Sequence, residues 1–316
     1  MGGLARRVSY IKAFKHRSNG EVPALFVDAG NLFTDDKYST ELPAEGLAKN
    51  KWVTKAYGDF RHDAANISYV DLPYMAELLK KDGYQQRVEE HPFIKKLISS
   101  NVRPSDDRYQ APAPYLIREV TLKRGNPSQK IKVGIIGLTG AKPSTMNSTE
   151  ANRAGFVIDD PFQAAKSIIA ELKPKVDFII ALAYLQQDEL QRLASENPEI
   201  DTIIGASGFT TNDDPVHFNR ATITKAYNQT KYMGELRYYI RGDGSLENQL
   251  NRYVALDGFI PDDPTALEMT TLAHDEFTNE SNKNAKSSVP PTNILGGKDS
   301  PALNSEKLLE KPNQKP

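Results

Sequence analysis

Residues 176–184 read Val-Asp-Phe-Ile-Ile-Ala-Leu-Ala-Tyr, a near-continuous apolar run. Successive residues of a strand point to opposite faces, so a strand of this composition needs cover on both sides. That places it inside a layered α/β sheet rather than in a sheet with one wet face. The flanking segments supply the cover. Asp159-Asp160-Pro161 opens a helix with a carboxylate cap and Pro at its first position, and Pro174 stops it after about Leu172. A second helix is expected from Gln187 to Ser195, and Ile200 to Ile204 is the next strand. Tyr115 to Leu122 alternates apolar and polar residues. Lys130 to Gly137 reads as its partner across a turn containing Gly125-Asn126-Pro127. Two more β segments, Ala221 to Tyr227 and Gly234 to Ile240, end at Gly242-Asp243-Gly244. The pattern predicts a layered α/β fold with a mixed sheet.

The N-terminal part is less regular. Leu4, Val8, Ile11 and Phe14 recur at helical spacing and predict an amphipathic helix over 3–17. Val22 to Val27 predicts a short buried strand running into Asp28-Ala29-Gly30. Residues 34–62 are polar and read as irregular, with the single Trp52 among them. Ala64 to Ser68 is a candidate short strand, and Pro73 to Lys81 a helix ended by Gly83. A helix over 263–277 is expected behind Asp263-Pro264. The organisation expected is a main domain over 1–245, an extension over 246–278 and a disordered tail over 279–316, where Asn, Ser, Lys, Glu and Pro dominate.

Composition removes several functions. Lys and Arg number 40 against 41 Asp and Glu, a net charge of -1, which argues against nucleic acid as a partner. With no cysteine, thiolate metal sites, disulfides and Cys nucleophiles are excluded. No run of ~18 apolar residues predicts a membrane span. The N-terminus lacks the apolar core of a signal peptide.

Several segments together carry a resemblance. Gly2-Gly3-Leu4-Ala5-Arg6-Arg7, Asp28-Ala29-Gly30-Asn31-Leu32-Phe33, Asp63-Ala64-Ala65-Asn66-Ile67, Val133 to Thr139, Ile179 to Leu182, Ile203-Ile204-Gly205 and Lys231-Tyr232-Met233-Gly234 occur in one order. In that order they resemble the N-terminal domain of the 5′-nucleotidase and 2′,3′-cyclic phosphodiesterase branch of the calcineurin-like metallophosphoesterases. The likeness covers roughly 2–245. It implies an αββα sandwich and a pair of divalent metals, such as Mn²⁺ or Zn²⁺, that hydrolyse phosphate esters. It also implies an extracytoplasmic or periplasmic location.

The positions that the resemblance assigns to metal ligands are occupied by other residues. The bridging Asp falls on Asn31, and the Asn, His and Glu of the Gly-Asn-His-Glu block fall on Tyr69, Val70 and Asp71. The His after the long apolar strand falls on Tyr184. The two His of Gly-His-x-His fall on Ser207 and Phe209. The family's first Asp-x-His block has no counterpart after Gly2, which predicts a gap or exposed sheet edge beside Val22 to Val27. None of His16, His62, His91, His217 and His274 lies at a ligand position. Apolar groups cannot partner a buried cation. The expectation is therefore a metallophosphoesterase-like domain with no catalytic residues and no cofactor, acting as a binding module for an unidentified protein or small ligand. Asp28, Asn31, His62 and Asp71 remain as residual site candidates. The rival expectation is an active, nucleotidase-type phosphoesterase with displaced ligands or with its first Asp-x-His block on a missing N-terminal segment, in which those four residues hold one metal.

Other patterns carry less. Gly134, Gly137 and Gly140 have the wrong spacing for a dinucleotide loop and read as a tight strand end. Asp35-Asp36, Asp106-Asp107 and Asp213-Asp214 read as solvated loop carboxylates rather than calcium ligands. His62-Asp63 lacks a Ser nucleophile frame. Tyr227, Tyr232, Tyr238 and Tyr239 read as strand packing. Asn147, Asn228 and Asn279 match the glycosylation pattern, which is common by chance.

Overall fold

The computed structural model describes residues 3–18, 21–33, 42–122, 130–141, 152–206, 215–225, 230–241 and 246–287. Four layers result. The helices are α1 Leu4–Arg17, α2 Ala44–Asp59, α3 Leu72–Leu78, α4 Tyr84–Glu90, α5 Pro161–Leu172, α6 Gln187–Glu196 and α7 Pro264–Ser287. The strands are β1 Val27–Asp28, β2 Ala64–Asn66, β3 Leu97–Ile98, β4 Val102–Pro104, β5 Tyr115–Thr121, β6 Lys130–Thr139, β7 Asn152–Arg153, β8 Phe156–Ile158, β9 Phe178–Tyr184, β10 Thr202–Gly205, β11 Val216–Phe218, β12 Ala221–Lys225, β13 Tyr232–Ile240 and β14 Leu246–Ala255.

The long apolar run is β9, and it lies inside a six-stranded mixed sheet ordered β11-β12-β10-β9-β6-β5. β6, β9, β10 and β12 run parallel, with antiparallel strands at both ends. One face packs on α5 and α6, where Ile136, Ile179, Ala181 and Ile203 meet Ala165, Ile169, Leu190 and Leu193. The opposite face meets a second, parallel sheet ordered β1-β2-β3, with Ala64, Ile98, Ile135 and Leu182 between the two. The outer face of that second sheet is covered by α2, α3, α4 and the 3-10 turn Pro92–Lys96, through Tyr57, Leu72, Met75, Val88 and Phe93. The predicted sandwich is therefore present. Each core aliphatic side chain that is fully buried contributes roughly 1.5–3 kcal/mol.

The sheets approach closely at Gly137. A Cβ there would sit 2.6 Å from Asn66 Oδ1 and 2.7 Å from Ile98 O. Asn66 Nδ2 donates to Ala29 O on its own sheet at 3.0 Å and to Leu138 O on the facing sheet at 2.8 Å. One buried amide thus ties three strand ends together, and the glycine admits it. Of the three glycines, Gly137 is explained by this sheet packing.

Several local expectations are corrected. Residues 44–59, expected to be irregular, form α2. Its buried residues are mostly small or polar, Gly46, Ala48, Asn50, Thr54 and Ala56, with Tyr57 the one large side chain, so it carries little apolar periodicity. The strand expected over 22–27 is reduced to Val27–Asp28, which pairs only with β2 among the described residues. α7 continues past Asn279 to Ser287, nine residues into the segment expected to be disordered, and residues 288–316 lie outside the described residues. β14 pairs with β13 across residue 245, joining the main domain to the extension. α7 packs on α1 and α2, with Lys12 Nζ 2.6 Å from Asp263 Oδ2 and Trp52 Nε1 donating to Glu276 at 2.7 Å. Among the described residues no helix is long and apolar enough to cross a membrane.

Candidate functional site

The carboxyl ends of parallel strands are where α/β sheets place their sites. Here the ends of β1, β2, β6, β9 and β10 converge. Asn66 bridges β1, β2 and β6, as above. Tyr69 N donates to Thr139 Oγ1 at 2.9 Å, Gly140 N to Tyr184 O at 2.9 Å, and Ala206 N to Ala183 O at 3.1 Å. Of the residues singled out in the sequence, Asp28, Asn31, Tyr69, Val70, Asp71 and Tyr184 lie on these ends. Ser207 and Phe209 fall outside the described residues.

Asp71 closes a short 3-10 turn, Tyr69–Asp71, that opens with the capping pair Ser68 and Asp71. Its carboxylate is saturated by five donors. Oδ1 accepts from Leu32 N at 2.8 Å and Phe33 N at 2.9 Å. Oδ2 accepts from Asn31 N at 3.0 Å, Ser68 N at 2.9 Å and Ser68 Oγ at 2.6 Å. Burial pushes the acid up to about 6, and these donors restrain the rise. The side chain is thus a clamp that folds the 31–33 loop back onto residue 68. Asn31 sits in the left-handed region at φ 63°, a conformation that Asn tolerates, and its side chain is exposed.

Asp28 and His62 form a second group, joined by a residue that the sequence did not flag. Tyr57, from α2, donates to Asp28 Oδ2 at 2.6 Å and stacks on the His62 ring at 4.0 Å. Arg7 Nη1 donates to the same hydroxyl at 3.4 Å, with its guanidinium 5.0 Å from the Tyr57 ring centre. The other Asp28 oxygen accepts from Gly30 N at 3.1 Å. Burial pushes the Tyr57 phenol up, with Asp28 adding to the rise and Arg7 opposing it. Burial also drives His62 down to about 3, helped by nearby Arg7, so the imidazole is neutral.

The remaining positions point away from metal chemistry. The Tyr69 side chain is buried in the apolar core with Phe33 and Phe156. The Arg153 guanidinium, itself buried, lies 4.7 Å from its ring centre and donates to Tyr69 O at 3.4 Å. Tyr184 is likewise buried, and Val70 is an aliphatic at a ligand position. A metal pair requires several unencumbered carboxylate and imidazole donors. Asp71 is fully engaged, Asp28 is held by Tyr57 and Gly30, and His62 is stacked behind Tyr57. Among the described residues no three His, Cys, Asp or Glu side chains are grouped to hold a metal ion. The described donor set does not fit the pair.

Two further sequence suggestions resolve simply. Asp106 is tied to Arg108 through Oδ2 and Nη2 at 2.8 Å, an exposed local pair rather than a cation site. Asp63, beside His62, accepts from Phe26 N at 2.8 Å and pins the entry to β1. Arg7, Tyr57, Ser68 and Arg153 were missed as site residues. Only Ser68 carried a local signal, since Ser-x-x-Asp is the sequence form of a capping box.

The fold is that of the calcineurin-like phosphoesterases. Comparison with solved structures agrees: the calcineurin-like phosphoesterase YfkN from Bacillus subtilis superposes with a TM-score of 0.64 at 20% identity, covering 87% of this chain and 89% of that one. A 5′-nucleotidase precursor from Thermus thermophilus gives 0.64 at 20% identity, over 88% of this chain and 54% of that one. In sequence, the trifunctional nucleotide phosphoesterase protein YfkN of Bacillus subtilis strain 168 is 28% identical over 219 residues, which is 65% of this chain and 14% of that protein. The chain therefore spans a small part of that curated relative. No family model matches.

Proposed function

We propose that this chain is a phosphoesterase-fold domain that has lost two-metal ester hydrolysis and works as a binding module. The observation that carries this reading is the state of Asp71. A carboxylate already accepting five hydrogen bonds has no lone pair to offer a cation without dismantling the 31–33 loop. The strand-end mouth then serves recognition, with Asn31 exposed at its rim and the Arg7–Tyr57–Asp28 group fixing the wall behind it. The occupant is a protein or small ligand, and the extracytoplasmic setting implied by the sequence resemblance belongs to the same reading.

The test is hydrolysis of a nucleoside monophosphate and of p-nitrophenyl phosphate by the full chain, with Mn²⁺ or Zn²⁺ added. No turnover above the metal-only control is expected. Metal-dependent turnover abolished by a chelator would overturn the proposal and restore the active phosphoesterase. In that case Asn31→Ala and Asp71→Ala decide whether displaced ligands are responsible: if both leave the activity intact, that version fails as well.

A further inference from the structure

A second feature lies away from the strand ends. Between the C-terminal half of α1 and the outer face of the β13–β14 hairpin is a hollow of about 500 Å³. Its walls include three arginines, Arg17, Arg237 and Arg252, and the apolar side chains Phe14, Val22 and Val254. The volume lies within the range of small-ligand sites, roughly 300–1,000 Å³. α1 rises about 1.5 Å per residue, so Arg17 lies roughly 15 Å along the helix from Arg7, which faces the strand-end group.

Two of the three cations are held in place. Glu235 is largely buried and anchors two of them. Its Oε2 accepts from Arg252 Nε at 2.8 Å and from Tyr10 Oη at 2.6 Å, and its Oε1 accepts from Arg237. Burial would raise this carboxyl, but the bonds from Tyr10, Arg252 and Arg237 outweigh it and hold Glu235 below its ordinary value. One carboxylate therefore faces two guanidinium groups, each with donors left over. Arg17, in the last turn of α1, makes no ion pair with a described carboxylate and is favoured there by the helix dipole. Glu21, next to Val22, has an interaction of its own. Three cations against one anchoring anion leave the hollow positive, with an apolar side formed by Phe14, Val22 and Val254.

We propose that this hollow is a binding site for a small organic anion of the phosphate monoester class, whose charged group meets Arg17, Arg237 and Arg252 and whose apolar part lies against Phe14, Val22 and Val254. It needs no metal and is separate from the strand-end mouth. The probe is phenyl phosphate, titrated calorimetrically into the full chain in the presence of a chelator, with inorganic phosphate and phenol for comparison.

Phenyl phosphate is expected to bind saturably, inorganic phosphate more weakly, and phenol not at all. Arg17 is exposed, so its replacement leaves the fold intact. Arg17→Ala is expected to weaken binding about tenfold, the size of one lost charge-assisted contact. Arg17→Lys keeps the charge and stays within about threefold of the parent, and affinity falls as salt is raised. Asn31→Ala leaves binding unchanged. The proposal is overturned if no saturation is reached by about 10 mM, if Arg17→Ala binds like the parent, or if Asn31→Ala rather than Arg17→Ala removes binding.

Discussion

Replacing Asp71 by Ala tests whether this carboxylate is a clamp rather than a spare ligand. The substitution removes the acceptor for four backbone N–H groups and one hydroxyl. Asn31 N retains a bond to Ser68 Oγ at 3.0 Å, so Leu32 N, Phe33 N, Ser68 N and the Ser68 hydroxyl are the donors that lose this acceptor, and the hydroxyl can rotate to another. A buried donor left unmatched costs about 1–3 kcal/mol. Two effects reduce the sum. Leu32 is only half-buried, so its N–H can reach water, and Ala carries no charge to desolvate. A net loss of roughly 3–5 kcal/mol follows at pH 7, or a fall in Tm of roughly 10 °C. Denaturant unfolding followed by far-UV circular dichroism reads the loss directly. Asp106→Ala, at a surface carboxylate whose partners Ser105 and Arg108 lie within two residues of it, serves as the control and should change the transition far less. A loss under about 1 kcal/mol for Asp71→Ala would refute the reasoning, because the loop would then be held by something else.

The same residue makes a prediction about pH. Its folded-state value of about 6 lies above the ordinary 3.8, so the folded chain binds this proton more tightly than the unfolded one. The parent should therefore gain stability over Asp71→Ala as pH falls from about 7 to about 4, by up to roughly 3 kcal/mol. His62 acts in the opposite sense. Its folded value of about 3 lies below 6.5, so unfolding takes up a proton through that window and stability is lost on acidification. His62→Phe, which keeps an aromatic ring on Tyr57, should flatten the acid limb of the stability curve by about 3 kcal/mol between pH 7 and 4. Gly137→Ala forces a methyl between the sheets against Asn66 and Ile98 and should destabilise by about 1–3 kcal/mol, visible as a lower denaturation midpoint at unchanged slope.

The central sheet was legible because burial on both faces leaves a compositional mark. β9 and the Asp160 cap, which accepts from Phe162 N and Gln163 N, both follow from residue type alone. α2 was not legible, because apart from Tyr57 it buries only small or polar residues, Gly46, Ala48, Asn50, Thr54 and Ala56, which carry no apolar stripe. β14 was hidden for a related reason. Leu-Glu-Asn-Gln-Leu-Asn-Arg carries amides and charges, and pairing with β13 gives it its structure. At the site, the sequence located Asp28, Asn31 and Asp71 on the strand ends. It did not show that Asp71 was committed to five donors, since three of them come from a loop almost forty residues earlier in the chain. Tyr57 escaped for the same reason: its partners Arg7, Asp28 and His62 are brought together only by tertiary packing.

The most direct test of the central claim is metal content. The full chain is incubated with excess Mn²⁺ and Zn²⁺, desalted, and analysed by plasma mass spectrometry. Less than ~0.2 metal per chain is predicted, because among the described residues no three His, Cys, Asp or Glu side chains are grouped to hold a metal and Asp71 is already engaged by five donors. One to two tightly held metals per chain would contradict the account and return two-metal hydrolysis to first place.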